Sequence, residues 1–260
     1  MFRKPKQPIS GSDLAGTIEA VGAKVTGFAA GERVFGVGTG TFAEFARANP
    51  KKIVRMPATL SFEQAAAVPI SAVTALQAVR GRVRPADRVL VLGAAGGVGS
   101  FAVQLAKHFG GTVTGVASAP KLAFVRELGA DHVHDYREGD PTGPFEVIVD
   151  TGGNRTNSIL RGMLTPTGTA VLVGGEGGTG PMGGFERMIV AMLPSLRRQK
   201  IVGLASTVTR RDLLELTALL DAGAIVPPVD RTYPLAQAAG AVRAMRAGAV
   251  RGKLVVSVVE

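Results

Sequence analysis

The sequence predicts an α/β protein built around a doubly wound parallel sheet, and three observations support this prediction. From residue 88 onward, apolar runs with strand character alternate with segments of helical spacing. A glycine-rich turn at residues 93–99 joins the first such strand to the first such helix. The chain also contains 35 glycines and no tryptophan, a composition typical of parallel sheets with many tight turns.

Each element of this prediction follows from a local pattern. Short apolar runs between glycine turns in residues 11–60 indicate an irregular β-barrel, with strands at 14–22 and 33–36. Ser61 followed by Gln64 predicts a helix start, and the remaining elements follow from apolar spacing. The predicted helices are 73–80, 97–109, 120–128, 210–222 and 233–247; the strands are 88–93, 112–117, 147–150, 170–174 and 253–258; and residues 174–184 form a flexible glycine-rich loop.

The composition limits the possible functions. The formal net charge is +10, but the arginines are scattered and the basic start at residues 3–6 has no interleaved aromatic residues, so nucleic-acid binding is not favoured. The absence of cysteine excludes disulfides, thiolate catalysis and zinc sites that need cysteine. No segment has the pattern of a signal peptide or a membrane span, so we expect a soluble, cytoplasmic protein.

The turn at 93–99 predicts dinucleotide binding. It follows the apolar run 89–92 and precedes a helix whose apolar residues fall on one face. A pyrophosphate needs backbone amides at close range and the positive end of a helix dipole, and side chains in the turn would block its approach. The alternative is a glycine turn that merely packs the helix on the strand.

The end of the second strand predicts the form of the dinucleotide. An acidic residue about twenty positions after the glycine turn usually holds the ribose hydroxyls of NAD, whereas basic or hydroxyl groups replace it when NADP is bound. Ser118 and Lys121 stand in this region, with no Asp or Glu at the strand end. This favours NADPH, although Lys121 could equally be a solvated lysine at a helix start.

Seven ordered motifs resemble the medium-chain dehydrogenase/reductase superfamily, in its zinc-independent, quinone-oxidoreductase-like branch. They are residues 11–22, 28–36, 94–107, 128–131, 135–136, 149–153 and 252–255. The resemblance implies a Rossmann NADP-binding domain at 61–208, inserted into a chaperonin-10-like (GroES-like) substrate domain formed by 1–60 with 209–260. It also implies hydride transfer from NADPH to a quinone or an α,β-unsaturated carbonyl compound.

The resemblance further implies a set of cofactor-binding residues, while no catalytic residue is assigned. Ala95, Gly96, Gly97 and Val98 would border the pyrophosphate. Ser118, Lys121 and Tyr136 would surround the 2′-phosphate, although Tyr136 could also be an ordinary half-buried tyrosine. Thr74, Thr151 and Gly174 would lie near the nicotinamide, and Lys253 would approach the cofactor phosphates from the last strand.

The sequence differs from the family in two respects, its lack of zinc ligands and its shorter amino-terminal part. Residues 11–13 are Gly-Ser-Asp where zinc enzymes have Gly-His-Glu, and His108, His132 and His134 look like surface or packing residues, so no metal is expected. The family also has more barrel before residue 11, so we expect an incomplete barrel domain and keep open a catalytically silent, NADP-binding protein. RNA binding is a weaker alternative. Relatives also suggest a homodimer through an edge strand at 200–205.

Overall fold

The computed structural model describes residues 9–173 and 198–258. The chain divides into two compact units: residues 1–73 with 207–260, and residues 74–206. The domain limits inferred from the sequence, 61 and 208, remain predictions. Within the described ranges, no helix combines the length and the apolar character that a membrane crossing requires.

The described strands and helices follow one another along the chain in this order: β1 Asp13–Thr17, β2 Arg33–Thr39, β3 Arg47–Arg55, α1 Phe62–Ala66, α2 Pro69–Val79, β4 Arg88–Leu92, α3 Gly97–His108, β5 Thr112–Ala117, α4 Leu122–Glu127, β6 His132–Asp135, β7 Phe145–Asp150, α5 Asn157–Met163, β8 Leu164–Leu172, β9 Lys200–Gly203, α6 Arg210–Asp221, β10 Val229–Pro234, α7 Ala238–Arg246 and β11 Lys253–Ser257.

A six-stranded parallel sheet forms the centre of the second unit, in the order β6-β5-β4-β7-β8-β9. The central strand β4 is a nearly continuous apolar run because both faces of such a sheet are covered, and Val89, Leu90, Val91 and Leu92 are fully buried. Leu90 and Leu92 pack with apolar residues of β7, α5 and β8 in one core. This confirms the predicted doubly wound α/β fold.

The first unit contains two smaller sheets. β1, β2 and β3 form an antiparallel sheet, and its core includes Phe28, Val34 and Ile53. β10 and β11 form a parallel pair. A reciprocal capping box between Ser61 and Gln64 starts α1, as the sequence predicts. The expected barrel therefore appears in the described residues as separate short sheets.

Several predicted boundaries are wrong, each for a local reason. The second helix begins at Pro69 rather than residue 73, because proline is well suited to the first helical position. The first strand ends at Thr17, not 22, and the residues that follow are largely exposed. The last helix begins at Ala238, after β10 and a short 3₁₀ turn, rather than at residue 233.

Candidate functional site

The order of the strands creates a switch point between β4 and β7. From β4, the chain adds β5 and β6 on one side, and from β7 it adds β8 and β9 on the other. The loops that leave the carboxyl ends of β4 and β7 therefore diverge, and this divergence opens a crevice at the sheet edge where doubly wound proteins bind ligands.

The turn after β4 is held by backbone hydrogen bonds to its neighbour. The N–H groups of Gly93 and Ala94 donate to the Val116 carbonyl oxygen at 3.1 and 2.9 Å. Gly93 has a φ of +78°, and a Cβ atom on Gly99 would stand 2.1 Å from the Gly93 carbonyl oxygen. Glycine at 93 and 99 is thus required by a left-handed backbone and by close packing of α3 on the turn.

The part of the turn predicted to border a pyrophosphate is open. Gly96 is exposed, Gly97 and Val98 are partly exposed, and Ala95 is buried beneath them. A Cβ atom on Gly96 would meet, within 4 Å, just the Gly93 carbonyl oxygen at 3.3 Å. Gly96 is also the N-cap of α3, a helix of 12 residues. The backbone here can therefore approach an anionic group closely, which fits a pyrophosphate.

Thr151 joins the end of β7 to the glycine turn. Its hydroxyl donates to the Leu92 carbonyl oxygen at 2.7 Å, and its own N–H donates to the same oxygen at 3.0 Å. The preceding residue, Asp150, is buried, and its carboxylate accepts the N–H groups of Gly152 and Gly153. Thr151 is therefore fixed at the switch point, beside the turn.

The three residues predicted to bind a 2′-phosphate follow the carboxyl ends of β5 and β6, which are neighbouring strands. Ala117 pairs with Asp135 in the ladder, so Ser118, which follows β5, and Tyr136, which follows β6, leave adjacent strands. The Lys121 N–H closes the short turn back to the Ser118 carbonyl oxygen at 2.8 Å. Tyr136 is 52% exposed. This value fits both a phosphate-binding tyrosine and an ordinary half-buried one.

An ion pair that the sequence did not single out lies at this same place. The Asp135 carboxylate is nearly buried and accepts three hydrogen bonds from the Arg137 guanidinium, two from Nε and the shortest, at 2.7 Å, from Nη2. It also accepts the backbone N–H of Arg137 at 3.1 Å. The hydrogen bonds from the Arg137 guanidinium, followed by the one from the Arg137 backbone, hold the pKa of Asp135 below its usual range.

The contacts of the described residues do not connect the remaining predicted cofactor residues with Ser118, Lys121 or Tyr136. Thr74 is buried within α2. Lys253, on β11, donates to Asp13 Oδ2 at 3.2 Å and to Ser71 Oγ at 3.0 Å, all within the first unit. Asp13 Oδ1 in turn accepts the Ile70 N–H at 2.9 Å. Gly174 and the predicted loop at 174–184 lie outside the described residues.

The three histidines lie apart from any metal-binding arrangement in the described residues. His108 packs edge-on against Phe109, His132 is exposed, and His134 Nε2 is 3.0 Å from the Gly139 carbonyl oxygen. Across residues 9–173 and 198–258, no group of three or more His, Cys, Asp or Glu side chains is placed to hold a metal ion.

Two family models match the chain. The model described as alcohol dehydrogenase GroES-like domain matches residues 1–58, and the model described as zinc-binding dehydrogenase matches residues 128–256. The first match shows that residues 1–58 belong to a GroES-like domain. It does not support our expectation that part of this domain is missing. That expectation stays a prediction.

Individual relatives span most of the chain. The quinone oxidoreductase of Mus musculus is 35% identical over 92% of this chain and 76% of its own length. A chloroplast envelope quinone oxidoreductase homolog of Arabidopsis thaliana is 31% identical over 95% of this chain and 79% of its own. The solved quinone oxidoreductase of Coxiella burnetii superimposes with a TM-score of 0.83 at 30% identity, covering 98% of this chain and 81% of that one.

Proposed function

Because this chain belongs to the medium-chain dehydrogenase/reductase superfamily, a family of oxidoreductases, we propose that it transfers hydride from NADPH to a quinone or an α,β-unsaturated carbonyl compound without zinc. One observation carries the cofactor part of this proposal. Ser118 and Lys121 follow the carboxyl end of β5, the strand beside the open glycine turn after β4, and Tyr136 follows the carboxyl end of β6, one strand further along. The acceptor part rests on the quinone oxidoreductases among the relatives.

The spacing of the strands supports this arrangement of the dinucleotide. Neighbouring strands lie about 4.8 Å apart, so the end of β5 is one strand, and the end of β6 two strands, from the glycine turn. The open backbone at 96–98 would bind the pyrophosphate, and the Ser118 hydroxyl and Lys121 ammonium would bind the 2′-phosphate on the adenosine ribose. The Tyr136 hydroxyl would add a third donor.

At the other end of the cofactor, the switch point would orient the nicotinamide. When bound, NADPH supplies a hydride, which leaves with its electron pair and reduces an electron-poor double bond. The chain has to hold donor and acceptor in contact, and water or a nearby hydroxyl provides the proton. Thr151 would fix the wall of this site through its bonds to the glycine turn, with Thr74, Gly174 and Lys253 as further proposed cofactor contacts.

A fluorescence titration tests this proposal. NADPH and NADH are each titrated into the purified chain. A simple benzoquinone is then added to the NADPH sample, and the absorbance of NADPH is followed. We expect tighter binding of NADPH than of NADH, and quinone-dependent oxidation of NADPH that a metal chelator does not inhibit. Heat-treated protein provides the baseline for direct reaction of quinone with NADPH.

The outcomes separate the alternatives. Binding of NADPH without turnover with quinones or enones would favour the catalytically silent protein. Loss of activity with a chelator, restored by zinc, would contradict zinc independence. Failure of folded protein to bind either dinucleotide would overturn the proposal altogether.

The same family membership supports a homodimer through β9. In the described residues this strand pairs with β8 alone, and Val202 on it is partly exposed. An exposed edge of this kind can pair with its copy about a two-fold axis. Light scattering of the wild type and of Val202→Lys checks this: a dimer that becomes a monomer supports it, and a wild-type monomer contradicts it.

A further inference from the structure

We propose that the Asp135–Arg137 ion pair selects the phosphorylated cofactor, by neutralising an acidic group at the end of β6 and offering a guanidinium to the 2′-phosphate. This inference rests on the proposed function, since it concerns the same dinucleotide. It adds two residues to the phosphate-binding group predicted from the sequence.

Asp135 is the last residue of β6 and lies beside the end of β5. An acidic residue at the end of the second strand is the usual ligand for the ribose hydroxyls of NAD. This chain has none there, but the ladder places Asp135 opposite Ala117, which is the last residue of β5 and directly precedes Ser118. A carboxylate thus does lie beside Ser118, contributed by the next strand.

The Asp135 carboxylate already accepts several hydrogen bonds. The Asp135 side chain is 7% exposed, and its two oxygens accept the Arg137 backbone N–H together with three contacts from the Arg137 guanidinium, two from Nε and one from Nη2. These bonds fill most of the acceptor capacity of a carboxylate. Asp135 therefore has little left with which to bind ribose hydroxyls, and its charge is balanced at the point where a 2′-phosphate would otherwise be repelled.

The Arg137 side chain is exposed to solvent. The Arg137 side chain is 60% exposed, so its guanidinium faces solvent while its partner is covered. A guanidinium has five N–H donors, and Asp135 accepts from Nε and Nη2, so donors remain for a further acceptor. A planar, fixed guanidinium is well suited to phosphate oxygens.

Other ion pairs in the same unit provide the contrast. Lys107 contacts Asp131 at 2.8 Å just before β6 begins, and Arg88, the first residue of β4, contacts Glu146 near the start of β7. Both lie at the amino ends of strands, away from the edge that binds ligands in this fold. They are matched controls, because each removes one exposed cation from the same sheet.

The test compares dissociation constants for NADPH and NADH across four proteins: the wild type, Arg137→Gln, Lys107→Gln, and the double variant Asp135→Asn with Arg137→Gln. Binding is followed by fluorescence, and by calorimetry with 2′,5′-ADP and 5′-AMP as fragments with and without the 2′-phosphate. Thermal unfolding of each variant shows whether a loss of binding reflects a loss of fold.

In Arg137→Gln, Asp135 keeps its charge and loses its counter-ion. We expect NADPH and 2′,5′-ADP to bind about tenfold more weakly, while NADH and 5′-AMP change little. Removing the Asp135 charge in the double variant is expected to restore the part of the NADPH affinity that was lost to repulsion, but not the part that the guanidinium itself contributes. Lys107→Gln is expected to leave both dissociation constants unchanged.

Three results would overturn the inference. Arg137→Gln could weaken NADPH and NADH equally, it could affect neither, or the double variant could bind NADPH no better than Arg137→Gln. If the wild type binds NADPH and oxidises it with a quinone but one of these results is obtained, the proposed function stands and selection by this pair fails. If the wild type binds no dinucleotide, both fail.

Discussion

The Thr151 hydroxyl donates a hydrogen bond to the Leu92 carbonyl oxygen at 2.7 Å and lies 3.3 Å from the Gly93 carbonyl oxygen. This contact crosses the switch point of the sheet, because Leu92 ends β4 and Thr151 follows β7. The residue proposed to orient the nicotinamide is thus fixed to the turn proposed to bind the pyrophosphate.

Replacing Thr151 with valine removes these bonds while keeping the shape of the side chain. We expect the free energy of unfolding to fall by about 1 kcal/mol, the usual net value of such a hydrogen bond. Urea denaturation measures this change. Thr151→Ser keeps the hydroxyl and should lose less stability than Thr151→Val. Equal losses in the two variants would show that the hydroxyl bond contributes little.

Replacing Gly99 with alanine places a Cβ atom 2.1 Å from the Gly93 carbonyl oxygen and 2.9 Å from the Ala94 Cα atom. The backbone of the turn has to shift, and we expect a loss of about 1–3 kcal/mol in stability together with weaker NADPH binding. The control is Gly162→Ala in α5, where a Cβ meets nothing within 4 Å. That change should raise stability by about 0.5–1 kcal/mol, since alanine favours helix. A well-tolerated Gly99→Ala would contradict the close packing of α3.

Replacing Asp13 with asparagine leaves the Lys253 ammonium without its carboxylate. Both side chains are about one-fifth exposed, at 21% and 19%. We expect a loss of about 1–3 kcal/mol, measured by urea denaturation, because the charged partner stays partly buried. Arg251→Gln, which removes an exposed partner of Asp230, is the control and should cost no more than about 1 kcal/mol.

The same variants address the role of Lys253. If Lys253 approaches the cofactor phosphates as proposed, Lys253→Met weakens NADPH binding beyond what Asp13→Asn does. Equal stability losses with unchanged NADPH binding in both would restrict Lys253 to the ion pair in the first unit.

Acid should destabilise the chain through three carboxylates. Arg137 lowers the pKa of Asp135, and Arg88 lowers that of Glu146. For Asp131, partial burial raises the pKa, but the Lys107 ammonium and backbone N–H groups outweigh it, and the net pKa is lowered. Since the folded pKa values lie below the unfolded values of about 3.9–4.3, the unfolded chain binds more protons in acid.

The stability contributed by these groups is present above pH of about 5 and is lost as the pH falls through their folded pKa values. Urea denaturation at pH 7, 5, 4 and 3 measures the decline, and the arginine-to-glutamine change at position 88 should make it shallower by removing the partner of Glu146. A stability that is constant from pH 5 to pH 3 would rule out this contribution.

The central part of the fold could be predicted because its signals are local. The apolar run of β4, the glycine turn and the apolar face of α3 lie within about two dozen consecutive residues, and their order alone indicates the strand-turn-helix unit. β3 and β10 escaped prediction because most of their residues are exposed or partly exposed, which removes the apolar alternation that identifies a half-buried strand.

The candidate site was predicted in part for the same reason. Ser118 could be found by its distance along the chain from the glycine turn, but Asp135 becomes relevant only when β6 pairs beside β5. Lys253 contacts Asp13 and Ser71, which lie 240 and 182 residues away in sequence. Partners at such separations are decided by tertiary packing, for which a single sequence carries no local signal.

β6 lies at one edge of the described six-stranded sheet. Among the described strands β6 pairs with β5 alone, and its residues His132, Val133 and His134 are exposed or partly exposed. The proposed selectivity residues at its carboxyl end can therefore change without repacking the interior around β4 and β7. If Asp135 and Arg137 select the cofactor as proposed, an exchange of residues 132–138 would change the preference between NADPH and NADH while the buried core of the sheet is kept.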